Sequence, residues 1–139
     1  MSASPSLDPH GARILVVDDD PILREFSCVY LTSPTVTVET AECGEAGLAR
    51  LKSEPFDFLL CDINMPGCSG FDVICEVRRD PKIQHLPIII ITSNEDIVSI
   101  DQAYEAGATS FVTKPINWRL LAYQIRFAYR ANLLSLQAG

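Results

Sequence analysis

The stretch R-I-L-V-V-D-D-D-P, residues 13–21, decides the fold class. Residues 13–17 form an apolar run of strand length, and the run stops at three successive aspartates. The last of these, Asp20, can cap a helix that begins at Pro21, where a missing N–H is no loss. A buried strand that turns through a short acidic loop into a helix is one β-α unit of a parallel sheet.

Working outward, the same unit recurs. The helix after Pro21 is expected to run to about Leu31, with Ile22, Phe26 and Val29 or Tyr30 on one apolar face. Residues 35–41 alternate and are β-branched, as suits a strand nearer an edge. A helix over 45–52 follows, burying Ala46, Leu48 and Leu51. Residues 58–61 (F-L-L-C) read as a third, buried strand ending at Asp62, and Pro66-Gly67 forces a turn before a helix over 70–79 carrying Phe71, Ile74 and Val77. Residues 87–92 (P-I-I-I-I-T) are so apolar that helices should cover both faces, placing this strand at or near the sheet's centre. A helix over 96–106 closes at Gly107, residues 110–113 form the fifth strand, and a last helix runs from near Asn117 through Leu136. With right-handed crossovers, five strands and five helices make a three-layer α/β sandwich.

Composition agrees with one ordinary globular domain: 139 residues, 47% hydrophobic and 21% charged. A chain of this size buries roughly 68% of its unfolded surface, so neither metal nor disulfide is needed to hold a core. Residues 1–12 read as a flexible tail without the apolar segment of a signal peptide, and no run approaches the ~20 residues that span a bilayer. A cytoplasmic location and no membrane partner are the expectation. Eleven basic against eighteen acidic residues leave a net charge of −7, the wrong sign for a nucleic-acid binder. Cys28, Cys43, Cys61, Cys68 and Cys75 include no C-x-x-C pair and read as reduced, mostly buried thiols. His10 and His85 fall in the tail and a loop and suggest no catalytic pair.

In open parallel sheets, ligands sit outside the carboxyl ends of the strands. There this sequence places Asp18, Asp19 and Asp20 after the first strand, Asp62 after the third, Thr92 and Ser93 at the fourth, and Lys114 after the fifth. Carboxylates gathered at one edge repel one another unless a hard divalent cation neutralises them. Mg²⁺ is the natural candidate, and its taste for phosphate oxygens predicts a phosphoryl ligand.

These stretches, I-L-V-V-D-D-D-P (14–21), L-L-C-D-I-N-M-P-G-C-S-G (59–70), I-I-I-I-T-S (88–93) and E-A-G-A-T-S-F-V-T-K-P (105–115), resemble the receiver domain of two-component response regulators. The resemblance spans nearly everything from Arg13 to the last helix, and implies a flavodoxin-like α/β/α sandwich with strand order 2-1-3-4-5. It implies a receiver over 13–131, with 132–139 extending the last helix toward an output domain outside these residues.

By the same resemblance Asp62 is the phosphoacceptor, loaded from a phosphohistidine on a sensor histidine kinase or phosphotransfer protein. Asp19, Asp62 and the Asn64 carbonyl would hold Mg²⁺, with Mn²⁺ as a substitute, and Asp18 would act through a bound water. Lys114, Thr92 and Ser93 would bind phosphoryl oxygens, and Thr92 with Phe111 would form the switch. Phe111 stands where the family uses an aromatic, here without a phenolic hydroxyl, so switching would rest on packing. The bond before Pro115 is expected to be cis. Asn64 and Asn94 lie beside the site.

K-P-I-N-W with R-F-A-Y-R-A further on also resembles receivers tethered to diguanylate cyclase or other cyclic di-GMP output domains. Leu120, Phe127 and Leu134 recur every seven residues, consistent with a homodimer through the last helix or with packing on the sheet. The chain is therefore expected to be a signalling phosphoacceptor and not an enzyme in its own right. Two other readings stay open. One is a degenerate receiver that binds partners without phosphorylation. The other is a haloacid-dehalogenase-like phosphatase, although Asp62-Ile63-Asn64 lacks that family's second carboxylate.

Overall fold

The computed structural model describes residues 11–93 and 97–138. Five parallel strands, β1 (Ala12–Val17), β2 (Val36–Ala41), β3 (Phe58–Asp62), β4 (Ile88–Ser93) and β5 (Ser110–Lys114), lie in the order β2-β1-β3-β4-β5. Between and after them run α1 (Pro21–Leu31), α2 (Gly44–Ser53), α3 (Gly70–Arg79), α4 (Ile97–Ala106) and α5 (Trp118–Ala138). β1 begins one residue inside the segment read as a tail; residues 1–10, like Asn94 and Asp96, lie outside the described residues. Gly107, at φ +111°, closes α4 in the left-handed conformation expected of a glycine there.

Alternate strand residues feed two cores. Leu15, Val17, Leu59, Cys61, Ile88 and Ile90 pack toward α2, α3 and α4, where Leu51, Val73, Ile74, Val77 and Ala103 meet them. Ile14, Val16, Leu60, Ile89, Ile91 and Val112 pack toward α1 and α5, against Leu23, Leu31, Leu121 and Ile125. β4 is buried on both faces, as its four isoleucines require.

One helix face differs from the reading of the sequence, and a second separates two readings that it left open. On α1 the inward residues are Leu23, Ser27 and Leu31, whereas Ile22, Phe26, Val29 and Tyr30 are exposed. Ser27 is tolerated inside because its Oγ donates to the Arg24 carbonyl at 2.7 Å, and apolar periodicity cannot reveal a polar side chain satisfied by its own helix. The outward aromatics are partnered among themselves: Phe26 meets Tyr30 edge-on, and Tyr30 stacks on Trp118 of α5 with ring centroids 5.6 Å apart. On α5, Leu121, Ile125 and Tyr129 are buried, while Leu120, Phe127 and Leu134 are exposed, so the seven-residue row does not pack on the sheet. Of the cysteines only Cys61 is buried; the other four are partly exposed, because they lie at helix surfaces and loops and not within strands.

Candidate functional site

The carboxyl ends of β1, β3, β4 and β5 bring the acidic residues, the hydroxyl and the ammonium group together. Asp18 and Asp19 follow β1, and Asp62 ends β3. One carboxylate oxygen from each of these three lies within 4.8 Å of the others. Lys114, the last residue of β5, extends Nζ to 3.9 Å from Asp62 Oδ2. Thr92 is buried near the end of β4, and Ser93 beside it is exposed and in register with Lys114. The Lys114–Pro115 peptide bond is cis.

Backbone contacts set each side chain. The Asp20 N–H donates to Asp18 Oδ1 at 2.8 Å, and the Asp20 carboxylate accepts the Ile22 N–H at 2.9 Å, so Asp20 is committed to capping α1 and leaves the site to its two predecessors. The Asn64 N–H donates to Asp62 Oδ1 at 3.2 Å. Asn64 itself is exposed, held between buried Ile63 and Met65. Gly70 lets α3 start against the end of β3. A β-carbon there would lie 2.6 Å from the Asp62 carbonyl oxygen and 2.7 Å from Ile63 Cα, so only glycine fits without moving Asp62.

Burial is the leading electrostatic fact. Asp18 has no exposed surface, and its carboxyl is pushed up to about 6, first by burial and then by the charges of Asp62 and Asp19, against the Asp20 N–H and Lys114. Asp62 is also raised, again mainly by burial, with the Asn64 N–H and Lys114 opposing. Two buried carboxyls held above their ordinary range are groups that a cation would relieve. Asp18 Oδ2 and Thr92 Oγ1 have no hydrogen-bond partner among the described residues. Buried polar atoms are rarely left so. An acceptor unpaired beside two further carboxylates fits a hard divalent cation, and the hydroxyl, a donor, fits an anionic oxygen.

Phe111 is 43% exposed. It pairs in register with Ile90, two residues before Thr92, and so shares the α4-side face of the sheet with Thr92. It borders a groove of about 330 Å³ that also touches Ile90, Ala103 and Tyr104. Sequence reasoning missed Arg24, whose guanidinium reaches back from α1 to donate to the Asp18 carbonyl at 2.7 Å. It also missed Met65 as the buried anchor of the Asn64 loop. A basic residue one turn into a helix whose cap follows the acidic pair was the available signal for Arg24; Met65 offered none.

The profile of the family described as response regulator receiver domain matches residues 14–126, and the chain belongs to that family. It is 36% identical over 115 residues to the chemotaxis protein CheY of Pseudomonas aeruginosa, covering 81% of this chain and 92% of CheY. It is also 36% identical over 124 residues to the response regulator PleD of Caulobacter vibrioides, covering 89% of this chain. The chain spans 27% of PleD and 51% of the transcriptional regulatory protein AfsQ1 of Streptomyces coelicolor. Among solved structures, chemotaxis response regulator CheY4 of Vibrio cholerae superposes with a TM-score of 0.79 at 29% identity, covering 85% of this chain and 98% of CheY4. The CheY-like receiver domain protein of Methanospirillum hungatei JF-1 gives 0.82 at 26%, covering 90% and 98%. The protein is thus a two-component receiver, a signalling domain of a class that works with histidine kinases and output domains. Among the described residues no helix is long and apolar enough to cross a membrane.

Proposed function

We propose that the chain accepts a phosphoryl group on Asp62 from the phosphohistidine of a sensor histidine kinase or phosphotransfer protein, with Mg²⁺ held by Asp19, Asp62 and the Asn64 carbonyl and with Asp18 acting through water. Mn²⁺ would serve in its place. The observation that carries this reading is the buried Asp62 with the Lys114 ammonium 3.9 Å from one oxygen and two further carboxylates against it.

Phosphoryl transfer asks a protein for positioning and for neutralisation of charge, and little covalent chemistry beyond the nucleophile. A bound Mg²⁺ supplies charge neutralisation at the phosphoryl oxygens. Asp62 Oδ attacks phosphorus as the donor imidazole leaves on the opposite side. Its other oxygen is held by the Asn64 N–H, which limits the carboxylate to one approach. Lys114 pairs with a phosphoryl oxygen, and the Thr92 hydroxyl, with Ser93 next to it, donates to another. Drawing Thr92 toward the new charge opens space on the α4-side face, into which Phe111 packs.

The greater lengths of PleD and AfsQ1 support an output domain joined to this receiver in a longer regulator. The exposed row of Leu120, Phe127 and Leu134 supports a second copy as the partner of α5, since heptad spacing is what a pair of helices needs to share a seam. Sedimentation with beryllofluoride, a mimic of the phosphoryl group, should show a dimer that Phe127→Glu abolishes; a monomer throughout would remove the second copy.

Incubation with acetyl phosphate and Mg²⁺ should add one phosphoryl group to the intact mass, and a chelator should stop it. A chain that takes up nothing would act instead as a binding module independent of phosphorylation.

A further inference from the structure

Two cysteines outside the phosphoacceptor chemistry are brought together by the fold. Cys43 is the N-cap of α2, and its Sγ accepts the Ala46 N–H at 3.5 Å. Cys68 lies in the loop from β3 to α3, twenty-five residues on in sequence but packed against Gly44 in space. A β-carbon on Gly44, the residue after Cys43, would fall 2.8 Å from Cys68 Sγ, 2.9 Å from Cys68 Cβ and 2.4 Å from the Cys68 carbonyl oxygen. Only a glycine at 44 lets the loop approach this closely. The contact continues at Gly67, where a β-carbon would lie 3.4 Å from Glu45 Oε2. Both thiols are free and partly exposed, whereas Cys61 is enclosed in β3. Cys28 lies on α1, across the sheet from α2.

We propose that Cys43 and Cys68 are a thiol pair that hydrogen peroxide closes into a disulfide, fastening the N-terminus of α2 to the loop that carries Asn64. Cys43 Sγ, with a helix N–H directed at it, attacks one peroxide oxygen. The S–O bond forms, the O–O bond breaks, and the thiol proton leaves with the departing oxygen as water. Cys68 Sγ then attacks the Cys43 sulfenic sulfur, the S–S bond forms, and the S–O bond breaks to release a second water. Two thiols and one peroxide thus give one disulfide and two waters, sulfur being oxidised and peroxide oxygen reduced. Burial, reinforced by Asp72 and Glu45, holds the Cys68 thiol above the ordinary range, which disfavours it as the first attacker.

The test uses the full chain, reduced and freed of reductant, then treated with hydrogen peroxide. Two of the five thiols should be lost, the intact mass should fall by two hydrogens, and peptide mapping without reduction should join Cys43 to Cys68 within one chain. Thiol reductant should reverse the change. Cys43→Ser, which keeps an N-capping oxygen for α2, and Cys68→Ser should each abolish the two-hydrogen loss, and a Cys28→Ser/Cys75→Ser variant should retain it. In the oxidised wild type, amide hydrogen exchange over residues 63–69 should slow several-fold. No two-hydrogen loss, a cross-link between chains, its persistence in either single variant, or unchanged exchange would overturn the proposal, whatever the outcome of phosphoryl loading.

Discussion

Asp62→Asn should abolish phosphoryl loading from acetyl phosphate, a fall of more than about 100-fold, while leaving the chain folded and more stable in the absence of metal at neutral pH. The amide has the shape of the carboxylate, so Gly70 can still abut the Asp62 carbonyl and the Asn64 N–H still finds an oxygen. What disappears is the proposed nucleophile. The stability gain has a separate origin. Burial raises the Asp62 carboxyl above its unfolded value. A group raised in this way contributes stability below its unfolded pKa and loses it as the pH climbs through the folded one. An amide never takes on that charge. Intact mass reports the first effect and thermal unfolding in chelator the second. Loading undiminished in Asp62→Asn would move the acceptor to another residue.

Asp18→Asn should flatten the pH dependence of stability between about pH 4 and pH 6 and weaken stabilisation by Mg²⁺. Asp18 goes from an ordinary 3.8 to about 6 on folding. At about 1.4 kcal/mol per unit, the contribution of Asp18 to the metal-free wild type should fall by roughly 2 to 3 kcal/mol as pH rises through this window, a fall that the variant lacks. The charge that costs stability at pH 7 is also the charge that the proposed cation would meet, so Mg²⁺ should raise the wild-type melting temperature more at pH 7 than at pH 5, where protons compete. Calorimetric melts at the two values, with Mg²⁺ or chelator, read both. Equal Mg²⁺ stabilisation in wild type and variant would take Asp18 out of the cation site.

Much of this site was legible because a parallel sheet delivers whatever follows its strands to one edge, and strands are the easiest elements to see in R-I-L-V-V and I-I-I-I. Asp18, Asp19, Asp62, Thr92 and Lys114 follow from strand ends alone. Side-chain orientation on helices was harder. α1 carries an apolar stripe through Ile22, Phe26, Val29 and Tyr30, yet it buries Leu23, Ser27 and Leu31, because a serine bonded to its own helix is invisible to a hydrophobic pattern. The Arg24 grip on the Asp18 carbonyl depends on how one long side chain turns back along its helix. The approach of Cys68 to Gly44 is a tertiary contact between two loops, which no local period encodes.

The stacked rings of Tyr30 and Trp118 lie 11° from parallel, and Trp118 is the sole tryptophan of the chain, four residues beyond Lys114. Its emission therefore arises from a single place, the seam where α1, which begins next to the acidic pair, meets α5, which begins next to the lysine. Indole emission responds to the packing and polarity around the ring, so the molecule comes with an optical reporter on the seam between these two helices, readable in ultraviolet light without any attached dye.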